Sequence, residues 1–241
     1  MRIAIVSDIH GNMEAFGEVL SDIDKSDVDT IVSVGDNIGY GPEPERVLEH
    51  LRNRNIPSVM GNHELAVADN RIAEQFNPLA RKSINKTIEI LNDDEIDYVR
   101  QLDYFTILHG YRFVHGFPPD SVVTYLFRLD NEQLQVGLEQ YEEALCFVGH
   151  THIPEIVTLD NDRINRGPLP GGLTELDPNS RYIINCGSVG QPRDLNNNAK
   201  YVILDTDAFH IDVRHIPYDI SSVADKILAA GLPEAHANRL W

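Results

Sequence analysis

Five short apolar runs in this chain each deliver an Asp, Asn or His at their carboxyl end, usually beside a glycine, and no other feature constrains the fold as tightly. Residues 2–7 (RIAIVS) run into Asp8 and His10. Residues 30–35 (TIVSVG) run into Asp36, and 57–60 (PSVM) into Gly61, Asn62 and His63. Residues 111–115 close on His115 before Gly116, and 144–148 lead through Gly149 to His150 and His152. Short β-branched runs bounded by polar residues are buried strands. In α/β sheets, ligands bind beyond the carboxyl ends of the strands. A glycine there lets the backbone turn tightly. Residues i and i+2 of an extended chain point the same way, so Asp8 with His10, and His150 with His152, are expected to converge as extended pairs.

Between these runs the pattern alternates. Apolar spacing at Met13, Phe16, Leu20 and Ile23 predicts a helix over 13–24, and a second follows over 43–54 after the turn GPEP. A β-α-β-α-β start argues for a largely parallel sheet with right-handed crossovers. Residues 64–101 are expected to be mostly helical, with a break near Asn77-Pro78. Short strands follow at 104–108, 111–115, 144–148, 155–159, 181–185, 200–205 and 209–214. Helices are expected near 130–140 and 219–230, and the Gly/Pro-rich stretch 166–180 as a loop. With no linker and no repeat, residues 1–241 are expected to form a single domain, with two sheets face to face and helices outside.

The strand-end residues offer carboxylates, imidazoles and one amide oxygen, without thiolate. That set suits Mn, Fe, Zn, Co or Ni rather than Ca. Seven donors exceed one tetrahedral site and suit two ions sharing a carboxylate. Each piece alone is weak: GNH is also a turn, and a lone His at a strand end is usually structural. The ordered series D-x-H, GD, GNH, H-G and GH-x-H is specific.

That series resembles the calcineurin-like metallophosphoesterase superfamily. GDNIGYGPEP (35–44) and CGSVGQPRD (186–194) are similar to its short prokaryotic branch of phosphodiesterases and diadenosine tetraphosphatase-related proteins. The resemblance implies an α/β four-layer sandwich of two mixed sheets flanked by helices. It also implies a first metal at Asp8, His10, Asp36 and His152, and a second at Asp36, Asn62, His115 and His150. His63 is implied as the catalytic residue that protonates the leaving oxygen, not as a ligand. The activity implied is hydrolysis of a small, nucleotide-like or other phosphate diester by a metal-bridging hydroxide, with manganese the expected ion in vitro. A phosphomonoesterase or protein phosphatase, or a non-catalytic scaffold of this fold, is the alternative. Cys186 departs from the proline or small aliphatic residue of many relatives.

Composition narrows the partners. A formal charge of −18 over 241 residues, without a Lys/Arg run, argues against long nucleic acid; a small phosphate ester is the substrate the resemblance implies. Two cysteines make no disulfide framework. Neither a signal peptide nor a membrane-length apolar run is evident, so a soluble cytoplasmic protein is expected. Arg193 is a candidate substrate-phosphate ligand, set against an ion pair with Asp194. Tyr40 either stacks on substrate or packs in the core. Ser188 is not read as a nucleophile, and His50, His109, His210, His215 and His236 are read as structural or solvated.

Overall fold

The computed structural model describes residues 1–241. Its first half runs β1 (Arg2–Val6), α1 (Met13–Ile23), β2 (Thr30–Ser33), α2 (Pro44–Asn53), α3 (Asn62–Ala68), α4 (Asn70–Ala73), α5 (Pro78–Ile90) and α6 (Asp93–Arg100). There follow β3 (Phe105–Leu108), β4 (Tyr111–Val114), α7 (Asn131–Glu139), β5 (Leu145–Val148), β6 (Glu155–Asp160), β7 (Arg163–Pro168) and β8 (Gly172–Glu175). The chain ends with β9 (Arg181–Asn185), β10 (Ala199–Asp205), β11 (His210–Ile216), α8 (Ile220–Ala229) and α9 (Glu234–Asn238).

Two mixed sheets result. One has the order β2-β1-β10-β11-β8, the other β3-β4-β5-β9-β6-β7. Strand alternation assigns each side chain to a layer. In β1, Ile3 and Ile5 enter the apolar layer between the sheets, whereas Ala4 and Val6 face the layer of α1, α2 and α3. In β5, Leu145 and Phe147 face inward, whereas Cys146 and Val148 meet Leu134 and Leu138 of α7. Four layers follow: helices, sheet, sheet, helix. The middle layer draws on both sheets, with Phe147 and Phe113 stacked at 5.4 Å between ring centroids. Burying one such ring is worth ~1.5–3 kcal/mol.

Helix ends follow their caps. Asn12 Oδ1 accepts from the amide of Ala15 to start α1. Asn77 Oδ1 accepts from Leu79 and Ala80 to start α5 at Pro78, the break expected there.

Three expectations need correction. Residues 57–60 form no strand; Ser58 makes one bridge to Ser33, so β1 and β2 are the sole parallel pair of the first sheet. Pro57 interrupts the ladder there because it has no N–H to donate. The stretch 166–180 is no mere loop: β7 extends to Pro168, and Gly172–Glu175 forms the edge strand β8 against β11. Edge strands tolerate the Gly and Pro that made this stretch read as a loop. The short α9 was also not expected. No helix is long and apolar enough to cross a membrane.

Candidate metal centre

The carboxyl ends of β1, β2, β4 and β5, with the start of α3, meet at one point. Backbone bonds stitch the loops together: Asp8 donates to Gly35 O at 3.0 Å, and His10 to Asp36 O at 2.9 Å. Asp8, His10, Asp36, His150 and His152 all have left-handed backbones, with φ between 51° and 67°. The expected extended i, i+2 pairs are therefore wrong. Each pair converges through left-handed turns, which aim both side chains inward over a shorter rise. Such a conformation costs roughly 1–2 kcal/mol per non-glycine residue. Five of them around one point mark a site where the surrounding fold holds strain.

Ligating atoms of Asp8, His10, Asp36 and His152 lie within 4.8 Å of one another, all buried. His10 Nδ1 donates to Ile38 O at 3.0 Å, and His152 Nδ1 to Gln191 O at 2.6 Å. Each neutral ring then presents a bare Nε2 lone pair to the site. Burial pushes both histidines below the ordinary value, helped at His152 by the charge of Arg193, so they are neutral near pH 7. The two Nε2 atoms are 3.1 Å apart. Asp8 Oδ1 is 3.1 Å from His152 Nε2 and accepts no hydrogen bond. Three acceptors thus face one another without a proton among them. A cation among them is the arrangement that satisfies such a set.

Asp36, His115 and His150 form a second cluster, sharing Asp36 with the first. His115 Nδ1 donates to Val34 O at 2.9 Å, and His115 Nε2 lies 3.1 Å from Asn62 Oδ1 and 3.3 Å from Asp36 Oδ2. His150 Nε2 donates to Val123 O at 3.2 Å, leaving Nδ1 for the site. Burial opposes a proton on His115, but the Asp36 carboxylate overcomes it and holds the imidazole up to about 9. Burial pushes His150 down to about 3. Asp36 Oδ2 faces both clusters, 3.7 Å from His10 Nε2. Asp36 Oδ1 accepts from the amide of His63 at 2.9 Å.

His63 sits beside the ligands rather than among them. Its Nε2 is 4.0 Å from Asp36 Oδ2 and its Nδ1 has no partner. Burial lowers it to about 4. Tyr40 packs on it at 4.4 Å between centroids, and on His10 at 4.6 Å. Tyr40 is thus wedged among site histidines. Its other neighbour is His236, at 4.7 Å, which is buried against Ser83 Oγ at 2.7 Å.

Two glycines are there because side chains pass too close. A Cβ on Gly149 would lie 2.4 Å from Asp8 Oδ2, and one on Gly61 2.2 Å from Asp36 Oδ1. Glu64 was missed at the sequence level. Its buried carboxylate accepts from the amides of Asp36 (2.9 Å), Asn37 (2.7 Å) and Gly61 (3.0 Å). It fastens the Asp36 loop to the start of α3. Burial pushes it up to about 7. Its signal was available: an acid three residues after the residue that caps α3.

Asp194 pairs with the buried Lys200 at 2.8 Å, so the alternative Arg193–Asp194 pair is not made. Arg193 Nη2 donates to Gln191 Oε1 at 3.0 Å, and its Nε is buried without a partner. Its charge follows burial as the next influence keeping His152 neutral, which puts the guanidinium near the site. Ser188 Oγ donates to Asp8 O at 2.8 Å, a supporting role. Cys186 and Cys146 are buried and unpaired. A cavity of about 280 Å³ opens next to Asn62 and His150, lined by Ile72, Gln75, Phe76, Val123, Tyr125 and Arg128.

The uncharacterised protein MJ0912 of Methanocaldococcus jannaschii is 34% identical over 244 residues, covering 99% of this chain and 97% of that protein. A metallophosphoesterase from Sphaerobacter thermophilus superposes with TM-score 0.85 at 35% identity, covering 100% of this chain and 98% of that one. The hypothetical protein PH1004 of Pyrococcus horikoshii shares the fold at TM-score 0.82 and 17% identity, covering 100% and 97%. The family model for the calcineurin-like phosphoesterase superfamily domain matches residues 1–208, and the chain belongs to that superfamily.

Proposed function

We propose that this protein hydrolyses a small phosphate diester at two divalent transition-metal ions. Asp8, His10, Asp36 and His152 hold the first ion, and Asp36, Asn62, His115 and His150 the second. The observation that carries the reading is the meeting of Asp8 Oδ1, His10 Nε2 and His152 Nε2 as bare acceptors. Two such ions, manganese for assay, would ionise a water near neutral pH and offset the charge of phosphate oxygens when bound. The backbone carbonyls of Ile38, Val34 and Gln191 fix which nitrogen each histidine offers. His63 stands next to the shared carboxylate, placed to pass a proton to the leaving oxygen, a role worth ~10²–10⁴-fold. Arg193, its Nε unpartnered, holds a phosphate oxygen. The chain's charge of −18 favours a small ester over long nucleic acid. Cytoplasmic residence suits two free cysteines.

Manganese-loaded protein is expected to cleave bis-p-nitrophenyl phosphate faster than p-nitrophenyl phosphate. Preference for the monoester would remove the diester assignment. Inactivity on both would leave a scaffold.

A further inference from the structure

Hydrolysis of a bare phosphate does not need the hollow beside Asn62 and His150. Two of its lining rings, Tyr125 and His150, are stacked. Tyr125 lies on His150 at 3.8 Å between centroids and 20° between planes, and Phe127 lies on Tyr125 at 5.0 Å. Ile72, Gln75 and Phe76 also line the hollow, the last packed on His63 at 5.3 Å. The Arg128 guanidinium carbon is 5.1 Å from the centre of the Tyr125 ring. Of 38 Asp and Glu in the chain, none lines this hollow, so an anionic ester meets no like charge there.

We infer that this hollow takes a flat aromatic substituent of the phosphate ester, an inference that rests on the site being a phosphate-ester centre. Size permits it: ~150 Å³ is enough for benzene, and about 280 Å³ is present. Chemistry selects it over other substituents. A sugar or peptide needs several hydrogen-bond partners, and Gln75 is the one neutral amide side chain lining the hollow besides Asn62. Aromatic walls and a guanidinium instead favour a π-system in stacked or edge-on contact. The ring would lie in the hollow beside Phe76 and Tyr125 while the phosphate sits at Asp36 and its partners.

Calorimetry on manganese-loaded protein tests this without turnover, using phenylphosphonate and methylphosphonate, which differ only in the ring. Phenylphosphonate is expected to bind at least about tenfold more tightly, the scale of one aromatic stacking contact. Phe76→Ala should bring the two affinities together. So should Val123→Trp, which fills the hollow from a side chain 53% exposed and so leaves the core untouched. Equal affinities in the unaltered protein, or a ratio that neither substitution moves, would overturn the inference. Failure of the phosphate-ester reading looks different: neither phosphonate binds although two ions are present, and that result overturns both.

Discussion

The two halves of the centre share Asp36 yet are prepared differently. Around Asp8, both histidines are neutral near pH 7, and three acceptors face one another. Around Asn62, the Asp36 carboxylate keeps a proton on His115 up to about 9. A cation entering the first half therefore displaces no imidazolium proton, whereas one entering the second must displace the proton of His115. The difference arises from placement. His115 lies 3.3 Å from Asp36 Oδ2 and His10 3.7 Å from it, while His152, although 3.1 Å from Asp8 Oδ1, is kept neutral by burial and the charge of Arg193.

The harshest way to break this comparison is at the residue both halves use. Asp36→Asn should take metal content from two ions per chain to below one and cut diester turnover by roughly 10³-fold, the scale of a key electrostatic group. His152→Ala and His115→Ala should each leave one ion. His63→Ala should lower turnover by about 10²-fold with both ions retained, since His63 lies outside both ligand clusters. Unchanged turnover would take His63 out of the mechanism. Glu64→Gln should weaken metal affinity by roughly 10-fold, because the Asp36 loop loses an anchor while the ligands stay.

The smallest effect is in pH. Ion uptake by the second half should strengthen from pH 7 to 9 as His115 loses its proton, while uptake by the first half stays flat. Without metal, the His115 proton contributes stability that is fully present below pH 6.5 and lost as pH rises through about 9. His63 and His150 act in the opposite sense. Their depressed values, about 4 and about 3, remove stability as pH falls below 6.5. Melting of chelated protein should therefore be highest near pH 6.5 and fall on both sides of it. A melting temperature that climbs steadily down to pH 4 would contradict these assignments.

Much of this centre is legible in the residues. Asp8, Asp36, His115 and the 150/152 pair stand at or just past strand ends, Asn62 at the start of α3 after an apolar run, and all meet in space. What was hidden depends on contacts distant in sequence. The left-handed turns at His10 and His152 come from loops being pinned to Asp36 O and Gln191, which local propensity does not report. Lys200 gave no motif, yet its ammonium, bonded to Asn198 O at 2.9 Å, takes Asp194 away from Arg193. Tyr125 and Arg128 lie in a stretch without periodicity; Tyr125 reaches the site by stacking on His150, and Arg128 lies over the Tyr125 ring. The β8 edge was missed because Gly and Pro signal a turn locally and are tolerated at a sheet edge globally.

Metal stoichiometry tests the account most directly. Protein stripped by chelator, reloaded with manganese and desalted should carry two ions per chain by elemental analysis, falling to one in both His152→Ala and His115→Ala. A single ion in the unaltered protein, or two ions persisting in either variant, would contradict the division of the centre into two halves bridged by Asp36.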